Sequence, residues 1–325
     1  MLFWVFDVRF DEILNSYGIN SYDIERVRSA YRISSDKNKF LVKKFNSERK
    51  LINTSKILNY LNENGFKYVN HICKNKNGKF YFEIDGKFYG FFNWIDGREA
   101  NLKNSEEILK CTRIIYKFHD CVKNLNYNDM NLKDNSNWIE KLKLDVKNLC
   151  DIEKIILRKF NIDKLDKFYL LNVKRAIHKI INIINFLEEN DFLKYSINNK
   201  IVCHDSLYYQ NFIMKNNKVY IIDFGGICIN NCIYDLAKFA RRVFYKNKFD
   251  LSILNKMYNL YNRFYRFSDF EKIIFCKYLD YPYKFVRLSC KFYLKDKNLK
   301  SDKLFCKFVK YVDYELNFKK RYDFV

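Results

Sequence analysis

The chain has 325 residues, of which 48% are hydrophobic, and a formal net charge of +22 at pH 7. Its 31 Phe and 26 Tyr supply enough apolar surface for a packed core, which excludes an intrinsically disordered chain. The basic residues are spread along the whole sequence and form no basic arm, helix-turn-helix, RNP signature or zinc finger, so we expect a lysine-rich surface and no nucleic-acid partner.

The cysteines and the apolar segments indicate a soluble protein that is made in the cytoplasm. None of the ten cysteines forms a CxxC pair, and no zinc-finger spacing follows Cys228 and Cys232, so we expect free thiols in a reducing compartment. The apolar stretch at residues 1–6 is interrupted by Asp7 and is too short for a signal peptide. No apolar run reaches the length of a membrane span, so we expect no membrane association.

The first third of the chain alternates as strands do. The turn-forming segment 34–38 separates two apolar runs and predicts a hairpin, and apolar residues at helical spacing predict a helix over 48–64 that stops at Asn64-Gly65. Asn77-Gly78 and Asp85-Gly86 separate three further apolar runs, as is typical of hairpins. The strands predicted here are 30–33, 39–45, 68–73, 79–84 and 87–94.

From residue 105 onward the pattern is mostly helical. Helices are predicted over 108–121, 138–156, 166–187 and from 234 to the end, with short strands at 201–203, 212–214 and 219–223. This order predicts an α+β protein with two lobes. The N-lobe is a small β-rich domain over 1–95, and a larger helical C-lobe over 96–325 carries the polar segment 201–226.

Polar side chains in that segment have the chemistry of a nucleotide and metal site. A loop containing His204 lies between two apolar runs, and the second run ends at Asp223. The oxygen atoms of Asn211 and Asp223 are hard ligands of the kind that Mg²⁺ prefers when it bridges nucleotide phosphates. The alternatives are an Asx-turn at Asn211, a turn-capping role for Asp223, and a structural His204 that is hydrogen-bonded to the backbone.

The same residues carry a family resemblance. The loop 204–211, followed by the run that ends at Asp223, resembles the pattern H-x-D-x-x-x-x-N and I-D-F/W of aminoglycoside-phosphotransferase-like kinases. Residues 234–242 are similar to the D-L-A segment of those proteins. Residues 94–99 (W-I-D-G-R-E) look like the hinge of one branch, the CotS-type spore coat proteins, and 118–120 and Pro282 match later motifs of that branch.

The resemblance implies a bilobal protein-kinase-like fold with ATP and Mg²⁺ as ligands. It implies that Lys43 contacts nucleotide phosphates, although neighbouring Lys44 competes for that role, and Glu48 is the candidate partner for this lysine. It also implies that Asn93 and Trp94 border the nucleotide. Asp235 is expected to brace the loop or to cap the following helix.

Two features depart from the kinase pattern. Ser206 stands where the catalytic Asp is expected, and Asp205 lies one residue early, where its alternatives are a role in structuring the loop and a role as a shifted base. Serine accepts a proton poorly at neutral pH, whereas a positioned base contributes about 10²–10⁴ in rate. Residues 26–35 also contain no glycine, so a Gly-rich phosphate flap is missing.

Two functions from different classes follow. The first is a spore coat protein of the CotS type, a degenerate kinase that serves as a structural or binding module in sporulation, is recruited to the spore coat and has other coat proteins as partners. The second is an active Mg-ATP-dependent phosphotransferase acting on a hydroxylated small molecule or sugar. The loss of the base and of the flap favours the first.

Overall fold

The computed structural model describes residues 10–20, 22–35, 38–295 and 302–317. Packing divides the chain into two compact units, which we call unit 1 (the described residues of 1–133 and 201–229) and unit 2 (those of 134–200 and 230–325). The apolar stretch at residues 1–6 lies outside the described residues. A lobe boundary near residue 95 stays a prediction.

Unit 1 is built on a five-stranded antiparallel sheet in the order β1-β2-β3-β5-β4. The predicted hairpin of β2 and β3 is confirmed, with Ala30 opposite Lys43. In the β4–β5 turn, Asp85 and Gly86 both have positive φ (49° and 68°), which is the turn geometry that matches strand twist. The strands are β1 (Asp23–Val27), β2 (Ala30–Ser34), β3 (Lys39–Phe45), β4 (Tyr81–Ile84) and β5 (Lys87–Asn93).

Alternation along β3 sends its side chains to two different environments. Val42 is fully buried in an apolar cluster with α1 (Phe10–Ser16), to which Phe10, Ile13 and Leu14 contribute. Leu41, Lys43 and Phe45 must point to the opposite face of the sheet, because successive side chains in a strand alternate. The pleat therefore separates Lys43 from its neighbour Lys44, which is exposed.

The predicted first long helix is confirmed as α2 (Glu48–Glu63). It begins where the Ser47 side chain accepts a hydrogen bond from the Lys50 backbone N–H, and it ends at Asn64 before Gly65, whose φ is +79°. Of the apolar positions at helical spacing, Leu51, Ile57 and Leu61 are fully buried, whereas Ile52 is 37% exposed.

In this unit one predicted strand is wrong and one observed strand was missed. Segment 68–73 forms no continuous strand: Val69 bridges to Ile221 and Ile72 to Phe92, so its two ends pair with different strands. By contrast, β1 was not predicted, because its sequence, Asp-Ile-Glu-Arg-Val, is polar and largely exposed at the edge of the sheet. Edge strands carry a weak apolar signal.

The remaining elements of unit 1 hold the polar loop. Strands β9 and β10 form a hairpin whose turn residues Asn216 and Asn217 have φ of 47° and 62°, and β6 pairs with β9. Strand β10 ends at Ile221, two residues before the predicted end, so Asp223 lies beyond the strand. These elements are β6 (Arg98–Glu99), α3 (Ser105–Val122), β7 (Lys133–Asp134, at the unit boundary), β8 (Ile201–Cys203), β9 (Phe212–Lys215), β10 (Lys218–Ile221) and β11 (Cys228–Asn230).

Unit 2 is helical, as predicted for this part of the chain. Aromatic side chains fill its core: Trp138 stacks on Tyr278 with ring centroids 3.9 Å apart, and Tyr169 stacks on Phe285 at 5.5 Å. Among the described helices, none combines the length and the apolar character needed to cross a bilayer. The helices are α4 (Trp138–Leu157), α5 (Lys164–Glu189), α6 (Phe192–Asn198), α7 (Cys232–Lys246), α8 (Leu251–Tyr265), α9 (Asp269–Asp280), α10 (Tyr283–Cys290) and α11 (Asp302–Val312), with π-helical segments at Lys291–Lys295 and Asp313–Asn317.

A buried carboxylate completes the start of α10. Pro282 at the N-cap position offers no side-chain hydrogen bond, so the first N–H groups of this helix need another acceptor. Glu315 is 1% exposed and accepts from the backbone N–H groups of Lys284 (2.8 Å) and Phe285 (2.9 Å) and from the Tyr245 hydroxyl. Burial, together with the negative charge of Glu315, holds the pKa of Tyr245 well above its ordinary value. The phenol therefore stays protonated and donates a hydrogen bond to the Glu315 carboxylate.

Candidate nucleotide and metal site

A cavity of about 300 Å³ lies within unit 1. Its walls are the β1–β2 turn, the second face of β3, part of α2, the segment after β5, and the residues on either side of the β9–β10 hairpin. A volume of this size is at the lower end of the range for small-molecule pockets. The cavity is lined by five of the residues predicted to bind nucleotide or metal: Lys43, Asn93, Trp94, Asn211 and Asp223.

An ion pair between Lys43 and Asp223 lies on the cavity wall. The Lys43 ammonium contacts Oδ1 of Asp223, and the two side chains are 21% and 38% exposed. Of the two competing lysines, the structure thus brings Lys43 to the cavity. Glu48 does not pair with it, because its carboxylate accepts a hydrogen bond from the Tyr81 hydroxyl instead.

The Asp223 carboxylate is held in its ionised form. Burial by itself would raise its pKa, but the charge of Lys43 and its hydrogen bond outweigh burial, with help from the Gly225 backbone N–H, so the pKa lies below its ordinary value of 3.8. The backbone at Asp223 is left-handed (φ 69°), which aspartate tolerates better than most residues, and a 3₁₀ turn over Phe224–Gly226 follows.

This pKa shift predicts a pH dependence of stability. Because the pKa of Asp223 is lower in the folded protein, its ionised form stabilises the fold above pH 4, and this contribution is lost as pH falls through the folded-state pKa. We expect the free energy of unfolding of wild type to exceed that of Asp223→Asn at pH 7, and the difference to shrink below about pH 4. Urea unfolding of both proteins from pH 7 to 2.5 measures it, and a difference that does not change with pH would contradict the prediction.

His204 sits behind the cavity, fully buried. Its Nε2 lies 3.2 Å from the Ile222 carbonyl oxygen, and its Nδ1 accepts from the Ser206 backbone N–H at 3.3 Å. These two contacts require the tautomer that carries its proton on Nε2. The ring also packs edge-on against Phe224, with centroids 4.6 Å apart. His204 therefore connects the loop to the segment that carries Asp223, which is the geometry expected for a structural role.

The loop turns tightly at the position of the missing base. The Ser206 backbone N–H donates to the His204 carbonyl at 2.8 Å, with Asp205 between them in a left-handed conformation (φ 61°). The Ser206 Oγ faces Gly226, where an added Cβ would lie only 2.7 Å from it. Among the described residues that line the cavity, neither Asp205 nor Ser206 is present. A catalytic role for either residue remains a prediction.

Asn211 has a geometry that is compatible with cation binding. Its side-chain nitrogen donates to the Ser206 carbonyl at 2.8 Å, so its amide oxygen is the atom that could meet a cation in the cavity. Asn211 is 6% exposed, and its carbonyl accepts from the Ile222 N–H at 3.0 Å, which fixes it one residue from Asp223. Asp235 is fully buried in the first turn of α7, within unit 2, and its predicted bracing role stays a prediction.

Three cavity residues were missed by the sequence analysis. Arg28, at the β1–β2 turn, donates from Nη1 to Gln210 Oε1 (2.6 Å) and from Nη2 to Glu99 Oε1 (2.5 Å), and all three side chains line the cavity. In the sequence Arg28 is one of many scattered basic residues, since β1 was not recognised. The signal that could have found it is Glu99, the last residue of the hinge motif.

The other charged residue of that motif has a different partner. Arg98 makes a two-point contact with Glu107 at 3.0 and 2.7 Å, and Glu107 also accepts from the Asn101 backbone N–H. These contacts tie β6 to the first turn of α3. Within the hinge motif, Arg98 therefore contacts α3 through Glu107, and Glu99 contacts the β1–β2 turn through Arg28.

Comparison with protein families gives one match. The model described as "Spore coat putative kinase YutH" matches residues 10–321. No match is found among curated protein sequences. The predicted resemblance to spore coat proteins is confirmed by the family match.

Several solved structures that are distant in sequence share the fold. An aminoglycoside phosphotransferase from Alicyclobacillus acidocaldarius is 14% identical with a TM-score of 0.80, over 94% of this chain and 93% of that one. The amicoumacin kinase hAmiN, solved with AMP-PNP, Ca²⁺ and Ami, is 12% identical with a TM-score of 0.69, over 95% and 92%. The choline kinase LicA from Streptococcus pneumoniae is 14% identical with a TM-score of 0.56, over 94% and 96%. The α+β, kinase-like fold of the aminoglycoside phosphotransferase type is thereby confirmed.

Proposed function

The chain belongs to the spore coat putative kinase YutH family, and on that premise we propose that it is a coat protein whose kinase-like cavity binds a magnesium nucleotide without transferring its phosphate. The observation that carries the proposal is the Lys43–Asp223 ion pair beside Asn211 on one cavity wall, combined with Ser206 at the position of the base. The binding groups are retained and the proton acceptor is lost.

The residues present fit a magnesium nucleotide. Asp223 and Asn211 offer oxygen atoms, the ligand type that Mg²⁺ prefers, and Lys43 offers a cation for phosphate oxygens. The bound metal would neutralise phosphate charge. Lys43 and Asp223 pair with each other. On nucleotide binding, Lys43 would exchange this partner for a phosphate and Asp223 would exchange it for the metal. Asn93 and Trp94, on the same cavity, are proposed to border the base of the nucleotide.

The loop around Ser206 argues against efficient phosphoryl transfer. A serine hydroxyl cannot accept the proton of an acceptor alcohol at neutral pH, and the Ser206 Oγ packs against Gly226. Asp205 lies in a left-handed turn outside the described cavity lining. Losing a positioned base costs about 10²–10⁴ in rate. We therefore propose that the protein acts as a binding module, with other spore coat proteins as partners and the spore coat as its location.

An active phosphotransferase on a hydroxylated small molecule or sugar is the second candidate. The observation that favours it over a purely structural module is the presence of Lys43, Asn211 and Asp223 together on one cavity, because these side chains have the chemistry that phosphoryl transfer needs for phosphate and metal. The solved amicoumacin kinase, which shares the fold, holds AMP-PNP and Ca²⁺.

Melting and turnover measurements separate the two candidates. We expect millimolar Mg-ATP to raise the melting temperature of the wild-type protein, because a ligand that binds only the folded state stabilises it by about 2.7 kcal/mol at 100 times its Kd. We expect no ADP release above background when a panel of amino alcohols and sugars is added. ADP release that depends on an added acceptor would establish the phosphotransferase. If Mg-ATP does not shift the melting temperature, the protein does not bind nucleotide, and both candidate functions are excluded.

A further inference from the structure

The β1–β2 turn occupies the place where a phosphate flap would be needed. Ala30 lies opposite Lys43 in the β2–β3 register, so the turn at Arg28 and Ser29 projects two residues beyond the level of Lys43. Residues 27–30 all line the cavity. In a Gly-rich flap, backbone N–H groups approach the phosphates because no side chain intervenes, but this turn has no glycine.

Arg28 reaches across the cavity from this turn. Its backbone is left-handed (φ 56°), and its guanidinium bridges Glu99 on β6 and Gln210, the neighbour of Asn211. The guanidinium also forms a hydrogen bond with the Tyr209 side chain. The group therefore lies at the cavity wall and contacts the residue that precedes Asn211. A guanidinium presents its N–H groups as a planar fork that matches phosphate oxygens at two points, which no single backbone amide can do.

We propose that Arg28 is a phosphate ligand that replaces the missing flap glycines, and that Glu99 and Gln210 hold it over the cavity until nucleotide arrives. This inference rests on the proposed function, since it concerns the same nucleotide. The charges of the cavity support it. Arg28 pairs with Glu99 and Lys43 pairs with Asp223, so the positive and negative side chains described on the cavity wall are equal in number. A polyanion that binds here must therefore take Arg28 or Lys43 from its carboxylate partner.

The exchange of partners by Arg28 is energetically easy. The Arg28–Glu99 pair is half exposed, with 51% of the arginine side chain and 38% of the glutamate in contact with solvent. Exposed ion pairs contribute little to stability because water screens them. A phosphate carries more charge than a carboxylate and accepts two N–H groups at once, so it competes well for the guanidinium. Gln210 is neutral and gives up its hydrogen bond without leaving a buried charge.

The test is a titration of nucleotides of increasing phosphate number. Calorimetric affinities for adenosine, AMP, Mg-ADP and Mg-ATP are measured in the wild-type protein, in Arg28→Gln and in Glu99→Gln. Arg28→Gln should weaken Mg-ADP and Mg-ATP binding by about tenfold or more and leave adenosine unchanged, because a hydrogen-bonded ionic contact to phosphate is lost. Glu99→Gln should strengthen Mg-ATP binding by a few-fold, since it removes the competing carboxylate.

A matched control comes from α2. Arg49→Gln makes the same change of charge at an exposed arginine that is absent from the described cavity lining and whose guanidinium donates to Asn131 Oδ1 at 3.4 Å. This variant should leave every affinity unchanged. Melting temperatures without ligand confirm that each variant is folded.

The possible outcomes separate the two levels of the proposal. Equal Mg-ATP affinity in wild type and Arg28→Gln would overturn the role of Arg28 while the proposed function stands. If both Arg28→Gln and Glu99→Gln bind Mg-ATP more tightly than wild type, the Arg28–Glu99 ion pair obstructs the cavity. That result would also overturn the role of Arg28 as a phosphate ligand. A wild-type protein that binds neither Mg-ADP nor Mg-ATP would overturn the proposed function, and the role of Arg28 with it.

Discussion

Replacing Asp223 by alanine should abolish the rise in melting temperature that Mg-ATP produces in the wild-type protein. Asp223 supplies the only carboxylate among the described cavity residues that pairs with Lys43, and the lowered pKa of this carboxyl keeps it charged at neutral pH. Without it, Asn211 alone would offer a neutral oxygen to the metal. The lost stabilisation corresponds to about 2.7 kcal/mol when wild type is measured at 100 times its Kd. Differential scanning fluorimetry with and without Mg-ATP makes the comparison.

The control for this variant is Asp129→Ala. Asp129 also pairs with a lysine, Lys56, at 2.8 Å in unit 1, but its side chain is 72% exposed and it is not among the described residues of the cavity wall. We expect its Mg-ATP shift to equal that of wild type. If Asp223→Ala kept the full shift, Asp223 would not be a ligand of the bound nucleotide complex, and the proposed function would lose its main support.

Replacing Glu315 by alanine should destabilise unit 2 by several kcal/mol, because each buried N–H or O–H donor that loses its acceptor costs about 1–3 kcal/mol. The change leaves the backbone N–H groups of Lys284 and Phe285 without their acceptor at the start of α10, and it removes the acceptor of the Tyr245 hydroxyl. Urea unfolding followed by tryptophan fluorescence includes a signal from this unit, because buried Trp138 lies within it, whereas Trp94 contributes a signal from unit 1.

Two further variants serve as comparisons for the loss of stability in Glu315→Ala. Glu188→Ala removes a carboxylate from the same unit, but its ion pair with Lys143 is exposed on both sides, so we expect a change within about 0.5 kcal/mol. Glu315→Gln keeps the shape and one acceptor oxygen and should fall between the two. A Glu315→Ala protein as stable as Glu188→Ala would show that water satisfies the start of α10 equally well.

Sequence patterns predicted the elements that have strong periodicity. The β2–β3 hairpin, α2 and the helices from α3 to α5 follow from apolar spacing and turn residues, and the structure places their ends within three residues of the predicted ones. Segment 68–73 has the composition of a strand, but whether an apolar run becomes a strand depends on partners elsewhere in the chain. Its two ends bridge to different strands.

The candidate site was predictable only where a residue belongs to a motif. Lys43, Asn211 and Asp223 were expected, and the pleat of β3 explains why Lys43 rather than Lys44 reaches the cavity. The Arg28 contacts could not be foreseen, because they join residues 71 and 182 positions apart through a strand without apolar alternation. The partner of Lys43 was also unexpected, since Glu48 contacts Tyr81 instead.

The cap that Glu315 provides has a consequence for how the chain matures on the ribosome. Phe285 is synthesised 30 residues before the carboxylate that accepts its N–H, a gap of a few seconds at roughly 5–20 residues per second. During that interval the nascent α10 has an uncapped start behind a proline. Unit 2 therefore cannot reach its final packing co-translationally until residue 315 has emerged, and the preceding helices are exposed to chaperones for that time.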